Sequence, residues 1–454
     1  MSRRLVVVGG DAAGMAAASQ AKRRAGDDID VIALERSHHV SYSACGIPYW
    51  VGGEVESADA LVARTPEEHR ERGIDLRMRH EVMAIDVDAR QVTVNDVERA
   101  SSYTLDFDEL VIATGALPVR PDLPGVDARG IFGVQTLDDG DAVIEALLRD
   151  RPSTAVIVGG GYIGIEMAEA MVRKGLSVTV VDRDEEPMAT LDPDMGRLVH
   201  KAMEDMGIDV RTESAVERFA VGDGRVQGVV VDGETIQADL VVLGIGVRPN
   251  TALAADAGLP LGSSGGLRVD RRLAVVGHEG IWSGGDCVET FNRVSQQWAH
   301  VALGTHANKH GRVIGANIAG DYATFPGVVG TAVSKVCELE IARTGLRESE
   351  ATAAGFGFTS VTIEATTTAG YLAAARPMTV KMLAECRSGR LLGAQIVGRE
   401  GSAKRIDVCA VALWNEMTVE EIAGLDLGYA PPFSPVWDPV LVAARAAASK
   451  ISGT

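Results

Sequence analysis

A chain of 454 residues is long enough to form two or three domains, each with its own hydrophobic core. Its 63 acidic residues outnumber the 44 basic ones, and the net charge of −19 argues against nucleic acid or an anionic membrane surface as a partner. No apolar run is long enough to span a bilayer, and the first residues run from a short strand into a glycine turn, unlike a signal peptide. The five cysteines are widely spaced, without a CxxC pair or zinc-site spacing, so we expect a cytoplasmic protein with at most one working thiol and no metal site.

The first predicted unit has the order strand, glycine turn, helix and strand that is typical of dinucleotide-binding folds. It comprises the strand Leu5–Val8, the turn GGDAAG at residues 9–14, a helix from Met15 to about Arg24, and the strand Asp30–Leu34. Gly9 suits the tight turn and Gly14 suits close packing of the helix on the strand, while Glu35 can bind a ribose hydroxyl or cap a turn. Asp11 replaces the middle glycine of the usual pattern, so this unit alone fits FAD and NAD about equally.

The stretch Ser41–Tyr49, with the sequence SYSACGIPY, contains the cysteine best placed for chemistry. Cys45 follows a dinucleotide-binding unit closely, and a thiol in such a place is redox-active when its surroundings lower its pKa. We expect Gly46 to let the backbone approach a flat ligand, and Pro48 to favour extended geometry at Ile47. The alternative is that Cys45 is a small buried hydrophobic residue.

A second dinucleotide-binding unit follows in the middle of the chain. It comprises the strand Ala155–Val158, the turn GGGYIG at residues 159–164, a helix to about Lys174, and the strand Ser177–Val181. Gly159, Gly161 and Gly164 complete the three-glycine pattern, so the sequence predicts two bound dinucleotides rather than one. Asp182 at the end of the strand favours NADH by accepting ribose hydroxyls, whereas Arg183 can bind the 2′-phosphate of NADPH, and both cofactors stay open.

Three further segments each combine an apolar strand with a turn of small residues: Phe107–Pro118, Asp239–Asn250 and Gly280–Cys287. The first two are expected where the chain crosses between nested domains. The third carries an acid, Asp286, directly after its glycines.

The pattern of predicted elements changes after about Phe325. Short strands are predicted at Thr359–Ala365, Met378–Ala384 and Leu391–Val397, and the last two flank a hairpin loop. A helix is predicted at about Ser402–Asn415, and a proline-rich run at residues 429–435 precedes a final helix. Antiparallel strands covered by helices indicate a separate C-terminal domain.

The order of these motifs, over essentially the whole chain, resembles that of the two-dinucleotide flavoprotein disulfide reductases. The single cysteine in SxxxCGIPY is similar to the branch that contains coenzyme A disulfide reductases, NADH oxidases and NADH peroxidases. The resemblance implies an α/β fold with two nested Rossmann-like dinucleotide-binding domains and a C-terminal α+β dimerisation domain. It implies FAD in a domain of residues 1–120 and 248–325, NADH or NADPH in a domain of residues 121–247, and a homodimer formed through residues 326–454.

Site residues follow from the same resemblance. The implied cofactor contacts are Gly9, Ala12, Gly14, Glu35, Ala113, Thr114, Gly115, Gly159, Gly161, Ile163, Gly164, Asp182, Arg183, Gly246 and Asp286. Glu35 is implied to hold the FAD ribose and Asp286 to reach the ribitol side of the flavin, and both have an alternative as turn-capping acids.

The resemblance places Cys45 beside the flavin. Trp50 stands where the main group of the family has a second cysteine, so no intrachain redox disulfide is available there. Cys45 must then form a mixed disulfide with a small thiol or become a sulfenate. The peroxidase and oxidase relatives have a histidine at the position of Ala12, and its absence favours the disulfide reaction. NADH oxidase or peroxidase activity and a low-turnover flavin redox sensor are the alternatives.

Substrate contacts are also implied by the resemblance. Tyr371 and Tyr429 match the two tyrosine motifs that approach the active cysteine from the partner subunit, where a phenol can protonate a departing thiolate. The alternative for both is packing at the dimer interface. Gln20, Arg23 and Ser41 match positions that contact coenzyme A, although basic residues at the end of a helix also complement its dipole. The expected partner is therefore a small thiol or disulfide, with coenzyme A preferred.

Overall fold

The computed structural model describes residues 2–453. The α-helices of this part of the chain are α1 (Ala12–Ala25), α2 (Ile47–Gly52), α3 (Pro66–Glu71), α4 (Leu137–Asp150), α5 (Tyr162–Arg173), α6 (Pro193–Asp205), α7 (Ala252–Asp256), α8 (Gly304–Ile318), α9 (Glu348–Ala353), α10 (Ile406–Trp414), α11 (Val419–Ala423) and α12 (Pro439–Ser452). Single 3₁₀ turns occur at Gly26–Asp28, Ala44–Gly46, Ala58–Leu61 and Ala403–Arg405.

The strands fall into three groups along the chain. The first group is β1 (Arg3–Val8), β2 (Ile29–Glu35), β3 (Ile74–Met78), β4 (His80–Asp86), β5 (Gln91–Asp96), β6 (Ser101–Asp106), β7 (Glu109–Ile112) and β8 (Ala116–Pro118). The second is β9 (Ile131–Gly133), β10 (Thr154–Val158), β11 (Ser177–Val181), β12 (Asp209–Arg211), β13 (Val216–Gly222), β14 (Arg225–Val231), β15 (Glu234–Gln237), β16 (Leu240–Leu243) and β17 (Val247–Pro249). The third is β18 (Ile281–Ser283), β19 (Glu289–Phe291), β20 (Trp298–His300), β21 (Ala332–Val336), β22 (Leu339–Gly345), β23 (Phe358–Thr366), β24 (Pro377–Glu385) and β25 (Leu391–Gly398).

Two five-stranded parallel sheets form the nucleotide-binding part of the fold, as predicted. The first has the order β18-β7-β1-β2-β3 and the second the order β12-β11-β10-β16-β9. The central strands β1, β10 and β16 are buried almost without interruption, which is expected when helices cover both faces of a parallel sheet. In both sheets the glycine turn follows a central strand, at the carboxyl edge where the strand order reverses and where nucleotides bind.

The nesting of the two sheets is visible in β18. This strand, from residues 281–283, pairs with β7 in the first sheet, although the whole second sheet lies between them in the sequence. The two crossings are joined to each other, because β17 pairs with β8 in an antiparallel ribbon, with Arg248 opposite Leu117. The expected crossing points are confirmed. The residue limits proposed for the domains stay a prediction.

Each parallel sheet carries a small antiparallel meander that the sequence analysis did not identify. These are the sheets β4-β5-β6 and β13-β14-β15. Strands β4, β6 and β13 are half-exposed and carry few apolar residues, which weakens their periodic signal, whereas β5 alternates regularly between buried and half-buried positions and was available to sequence analysis.

The C-terminal part forms one antiparallel sheet of order β21-β22-β25-β24-β23. The three predicted strands and the hairpin between β24 and β25 are confirmed, each within a residue or two of its expected bounds. Helices α10 and α12 pack on this sheet in a separate hydrophobic cluster. The predicted helix at residues 402–415 is realised as a 3₁₀ turn followed by α10.

A buried ion cluster joins the C-terminal sheet to the second parallel sheet. Lys381 on β24 is 5% exposed, and its Nζ lies 3.1 Å from Asp192, 2.8 Å from Asp194 and 3.0 Å from Glu348. Gln395 donates to Asp192 Oδ2 over 2.6 Å, which gives the most buried carboxylate a second partner. One ammonium group therefore holds three carboxylates at the start of α6 and α9.

None of the helices among residues 2–453 combines the length and the apolar character that crossing a membrane requires.

Candidate functional site: two glycine loops on either side of Cys45

The first glycine loop has the geometry that its sequence predicts. Gly9 has a φ of +111°, and a Cβ there would lie 2.1 Å from the carbonyl oxygen of Ala113, so only glycine fits. A Cβ on Gly14 would lie 1.9 Å from the Gly9 carbonyl oxygen, which explains why helix α1 can pack so closely on the turn. Ala12 is the first residue of α1.

The second loop repeats this geometry. Gly159 has a φ of +97°, and a Cβ on Gly164 would lie 1.9 Å from the Gly159 carbonyl oxygen. Ile163 lies in the first turn of α5, and Gly161 is the residue that precedes this helix. The two loops are therefore equivalent in backbone, although Asp11 replaces a glycine in the first.

Both loops leave the amino end of their helix available to a phosphate. Asp11 and Gly161 are the capping residues of α1 and α5, and neither provides a side-chain hydrogen bond to its helix. The first N–H groups of a helix have no partner within the helix and bind anions readily. The residues present thus fit the pyrophosphate of a dinucleotide in both places.

The two predicted ribose-binding acids are held in the same way. Glu35 accepts hydrogen bonds from the Gly10 and Ser37 N–H groups, each over 2.7 Å. Asp182 accepts from the Gly160 N–H over 2.5 Å and from the Asp184 N–H over 3.0 Å. In this state each acid also closes its own turn, so the capping alternative and the ribose-binding role are compatible.

The remaining predicted cofactor residues are divided between the two units. Ala113, Thr114 and Gly115 follow β7, next to Gly9, and Thr114 Oγ1 donates to the Asn250 carbonyl oxygen over 2.6 Å. Gly246 lies at the other crossing, where its carbonyl oxygen accepts from the Val119 N–H over 2.9 Å.

Asp286 follows β18 and is largely enclosed, and burial raises its pKa. Arg183 is exposed beside the buried Asp182, and its side chain makes no ion pair within the described chain. It is thus free to meet a 2′-phosphate, as the NADPH alternative requires.

Cys45 lies in the 3₁₀ turn Ala44–Gly46, directly before α2. Ile47 has φ −58° and ψ −47°, so the prediction that Pro48 makes it extended is wrong. Ile47 instead begins α2, and Pro48 is tolerated in the first turn, where its missing N–H would have had no partner. A Cβ added to Gly46 would lie 2.2 Å from Leu61 Cδ2, so packing against Leu61 requires glycine here. The close approach of a flat ligand to this backbone stays a prediction.

The position of α2 places Cys45 between the two nucleotide-binding units. Ile47, Trp50 and Val51 belong to the hydrophobic cluster that contains Met167 and Met171 of α5. On its other side, the Ser41–Tyr42 segment is tied to the first glycine loop, because the Ser41 N–H donates to the Gly10 carbonyl oxygen over 3.1 Å. The thiol itself is exposed.

The surroundings of Cys45 are acidic. Although Cys45 is exposed as a residue, neighbouring protein atoms partly desolvate its thiol and raise its pKa, and the charges of Glu166, Asp286 and Asp11 raise it further. Burial raises the pKa of Asp11 to about 6. A backbone hydrogen bond at Cys45 lowers the pKa of the thiol, but burial and the neighbouring acids outweigh it, so these protein groups do not supply the lowered pKa that the sequence argument for a reactive cysteine requires.

Glu166 is the charged neighbour of Cys45 that sequence analysis missed. It lies on α5, two residues after the last glycine of the second loop, and burial raises its pKa to about 7 against the effect of a 2.7 Å hydrogen bond from Ser334 Oγ. An acid at that point of a glycine-loop helix was the available signal. Its approach to Cys45 depends on the packing of α2 on α5, which no local pattern predicts.

A basic cluster lies at the carboxyl end of α1, near the predicted substrate residues. Gln20 is buried, and Arg23 donates to its Oε1 over 3.3 Å. Lys22 packs against Gly73, next to Arg72 at the end of α3. Ser41, on the Cys45 segment, contacts α3 instead, because its Oγ lies 2.9 Å from His69 Nε2. Gln20 and Arg23 therefore contact each other, and their shared role with Ser41 in binding a substrate stays a prediction.

Tyr371 and Tyr429 lie on neighbouring loops of the C-terminal part. They are 76% and 49% exposed, and the loops are joined by a hydrogen bond from the Ala369 N–H to the Pro431 carbonyl oxygen over 3.0 Å. Phe433 and Trp437, which follow Tyr429 in the sequence, are also exposed. Side chains of this size are normally covered, so the two loops form an apolar surface suited to a second protein surface.

One group of possible metal ligands occurs among residues 2–453. His39, Asp138 and Asp141 place one ligand atom each within 4.8 Å of one another, and His38 Nδ1 lies 3.3 Å from Asp138. Asp138 lies in the first turn of α4 and Asp141 follows it closely, and negative charge near the start of a helix is favourable without any metal.

Comparison with known proteins decides the family. A family profile described as pyridine nucleotide-disulphide oxidoreductase matches residues 3–310, and a profile for the dimerisation domain of the same family matches residues 331–439. The chain belongs to the pyridine nucleotide-disulphide oxidoreductase family. It is therefore an FAD-dependent oxidoreductase that uses a pyridine nucleotide, as the two glycine loops predict.

Individual members of the family resemble the chain over its whole length. An NAD(P)H sulfur oxidoreductase (CoA-dependent) from Pyrococcus abyssi is 38% identical over 98% of both chains. An NADH oxidase from Methanocaldococcus jannaschii is 35% identical over 99% of both chains. The crystal structure of reduced CoADR-RHD from Bacillus anthracis superposes with a TM-score of 0.96 at 32% identity, covering all of this chain and 81% of that one.

Proposed function

We propose that this enzyme uses NAD(P)H to reduce coenzyme A disulfide, or a related small disulfide, persulfide or polysulfide, through a mixed disulfide on Cys45. The observation that carries the proposal is the position of an exposed, unpaired thiol between two nucleotide-binding loops. All five cysteines are free, so within residues 2–453 Cys45 has no protein sulfur to pair with. The CoA-dependent name of the Pyrococcus abyssi relative supports coenzyme A as the thiol.

The proposed reaction balances with one protein sulfur. The Cys45 thiolate attacks one sulfur of the substrate disulfide, forms Cys45–S–S–R, and releases the other half as a thiolate that takes up a proton. Two electrons and one proton then cleave the mixed disulfide into the Cys45 thiolate and R–SH. FAD held at the first glycine loop would supply those two electrons, and a nicotinamide held at the second would replace them.

Protein side chains would bind the substrate and move its protons. We propose that Gln20, Arg23 and Ser41 bind the anionic part of coenzyme A, because a chain of charge −19 needs a local basic site for such a ligand. Tyr371 and Tyr429 are proposed as proton donors to the leaving thiolate.

The assembly is part of the same proposal. The exposed tyrosine loops and the match to a dimerisation domain support a homodimer, in which these side chains serve the cysteine of the partner subunit. We propose the residue limits 1–120 and 248–325, 121–247 and 326–454 for the FAD, nicotinamide and dimerisation domains. A cytoplasmic location is proposed from the sparse free cysteines.

The test is Cys45→Ser in the FAD-loaded enzyme. We expect the variant to keep FAD and slow diaphorase activity and to lose NAD(P)H-driven reduction of coenzyme A disulfide. Cys386→Ser is the matched control, because Cys386 is also exposed but lies in the hairpin after β24. Normal reduction of coenzyme A disulfide by Cys45→Ser would refute the mechanism. Mass spectrometry of protein purified without reductant should find a coenzyme A adduct on Cys45.

NADH oxidase activity is the second candidate, and the name of the Methanocaldococcus jannaschii relative favours it. It predicts fast NADH consumption with oxygen, no thiol product, and a bare sulfenic oxygen on Cys45. Ala12, in the place of the histidine of the oxidase relatives, argues against it.

A further inference from the structure

A buried histidine contacts the proposed substrate residue Ser41. His69 lies on the short helix α3 and is completely buried. Its Nε2 is 2.9 Å from Ser41 Oγ, whereas its Nδ1 has no hydrogen-bond partner among the described residues. A fully buried imidazole with one hydrogen-bond partner needs an explanation, because burying the unpaired Nδ1 costs free energy that an apolar side chain in the same place would not.

The protonation state of His69 decides which group donates. Burial lowers the pKa of His69 to about 4, and the charges of Arg64 and Arg72 contribute to this shift. The ring is therefore neutral near pH 7 and carries one N–H. A proton on Nδ1 would leave a buried donor unpaired, which is costly, so the proton belongs on Nε2, from where it is donated to Ser41.

This arrangement leaves the Ser41 hydroxyl with a free hydrogen. Because the Ser41 oxygen accepts from His69, its own hydrogen must point to another acceptor. The backbone of Ser41 is held as well: its φ is +48°, its N–H donates to the Gly10 carbonyl oxygen, and its carbonyl oxygen accepts from the Ala63 N–H over 2.8 Å. A non-glycine residue in this left-handed region is uncommon and persists where the surroundings hold it.

The charge around the pair fits an anionic acceptor. Arg64 and Arg72, which affect the pKa of His69, make no ion pair with a carboxylate within residues 2–453. Cys45 follows Ser41 on the same segment, by four residues. Ser41 is only partly buried, so its hydroxyl hydrogen is open to a ligand bound along this segment.

We propose that His69 is a positioning residue that fixes the Ser41 hydroxyl as a hydrogen-bond donor to the anionic thiol or disulfide substrate of Cys45. This inference rests on the proposed function, of which it deepens the substrate site. His69 itself does not touch the substrate, and its effect passes through Ser41.

The test compares substitutions of His69 in the FAD-loaded enzyme with coenzyme A disulfide as substrate. His69→Phe keeps a ring of similar size but removes the donor, and we expect KM for the disulfide to rise about tenfold while kcat stays within about twofold. His69→Gln can place its amide nitrogen near the Nε2 position and should restore most of the affinity. His69→Phe combined with Ser41→Ala should be no worse than Ser41→Ala alone, because the two residues act as one unit.

Controls separate this effect from a general loss of structure. His278→Phe is the matched control, because residue 278 lies before β18, at the edge of the sheet opposite to the glycine loops. If His69→Phe does not retain FAD, the pair His69→Asn and His69→Gln makes the same comparison, since asparagine is too short to reach Ser41 as Nε2 does. An unchanged KM in His69→Phe or His69→Asn, or losses that simply add in the double variant, would overturn the inference.

A binding measurement keeps this inference separate from the proposed function. If the wild-type enzyme does not reduce coenzyme A disulfide, the proposed function fails, and calorimetry with reduced coenzyme A then tests His69 alone. A Kd raised about tenfold by His69→Phe would still support the positioning role. An unchanged Kd, or no binding of coenzyme A by the wild type, would overturn it.

Discussion

Replacing Gly161 by alanine tests whether the second glycine loop binds the nicotinamide nucleotide. A Cβ on Gly161 would meet only the Gly244 carbonyl oxygen, at 3.8 Å, which is an ordinary van der Waals contact. The residue has φ −75° and ψ −173°, which alanine adopts without strain. The empty protein should therefore fold normally, and the added methyl group matters only when a pyrophosphate must approach the backbone at this point.

The size of the effect follows from the hydrogen bonds at stake. The helix after Gly161 has no side-chain cap, so its N–H groups are the donors available to the pyrophosphate. Losing one hydrogen bond to a charged group costs about 1.5–3 kcal/mol. This corresponds to an increase of roughly tenfold to a hundredfold in the Kd for NADH.

The assay is stopped-flow reduction of the bound flavin by NADH, followed by its visible absorbance. We expect the NADH concentration for half-maximal rate to rise by that factor, with FAD content and chemical reduction by dithionite unchanged. Gly175→Ala is the control at the other end of the helix, because its Cβ would also enter open space, although its φ of +85° costs some stability. Normal NADH kinetics in Gly161→Ala would refute the assignment of this loop to the nicotinamide nucleotide.

Two further predictions concern charged groups. Since burial raises the pKa of Glu166 to about 7, and its negative form raises the pKa of Cys45, Glu166→Gln should shift alkylation of Cys45 by iodoacetamide to lower pH, most clearly above pH 7. The same midpoint in Glu166→Gln as in the exposed control Glu67→Gln would contradict this. Lys381→Met should lower the free energy of unfolding in urea by about 3–5 kcal/mol, because three carboxylates lose their one buried cation. Lys404→Met, which breaks an exposed pair, should cost less than about 1 kcal/mol, and equal stability of the two variants would show that the buried cluster contributes little.

The pKa of Glu348 determines how the stability contributed by the buried ion cluster changes with pH. Burial by itself raises the pKa of Glu348, but hydrogen bonds to Ser360 and Lys381 lower it overall. A carboxyl group whose folded pKa is depressed stabilises the fold above its unfolded pKa, and this contribution is lost as pH falls through the folded value. Acid should therefore weaken the ion pair between Glu348 and Lys381 within the C-terminal part, which urea unfolding at decreasing pH would show as a falling free energy of unfolding.

Local patterns were sufficient for the two glycine loops. Gly9 and Gly159 occupy backbone conformations that other residues avoid, and Gly14 and Gly164 lie where a side chain cannot fit. Glu35 and Asp182 follow at the ends of the next strands, so their places are set by the same short unit. Such constraints act within about thirty residues and leave a recognisable signature in the sequence.

Local sequence rules did not predict features that are determined by side chains from other elements of the fold. Pro48 favours an extended residue before it, yet Ile47 is helical, since its burial with Trp50 against α5 outweighs that preference. The space beside Gly46 is occupied by Leu61, which comes from a separate turn.

The amino-acid sequence by itself determined that this protein has two dinucleotide-binding units, one solitary cysteine between them and an antiparallel C-terminal domain. Each of these features depends on residues close together in the chain. Only the tertiary structure placed Glu166 near Cys45 and His69 against Ser41. The first follows from the packing of α2 on α5, and the second from the burial of the single residue His69 of α3, rather than from any spacing in the sequence.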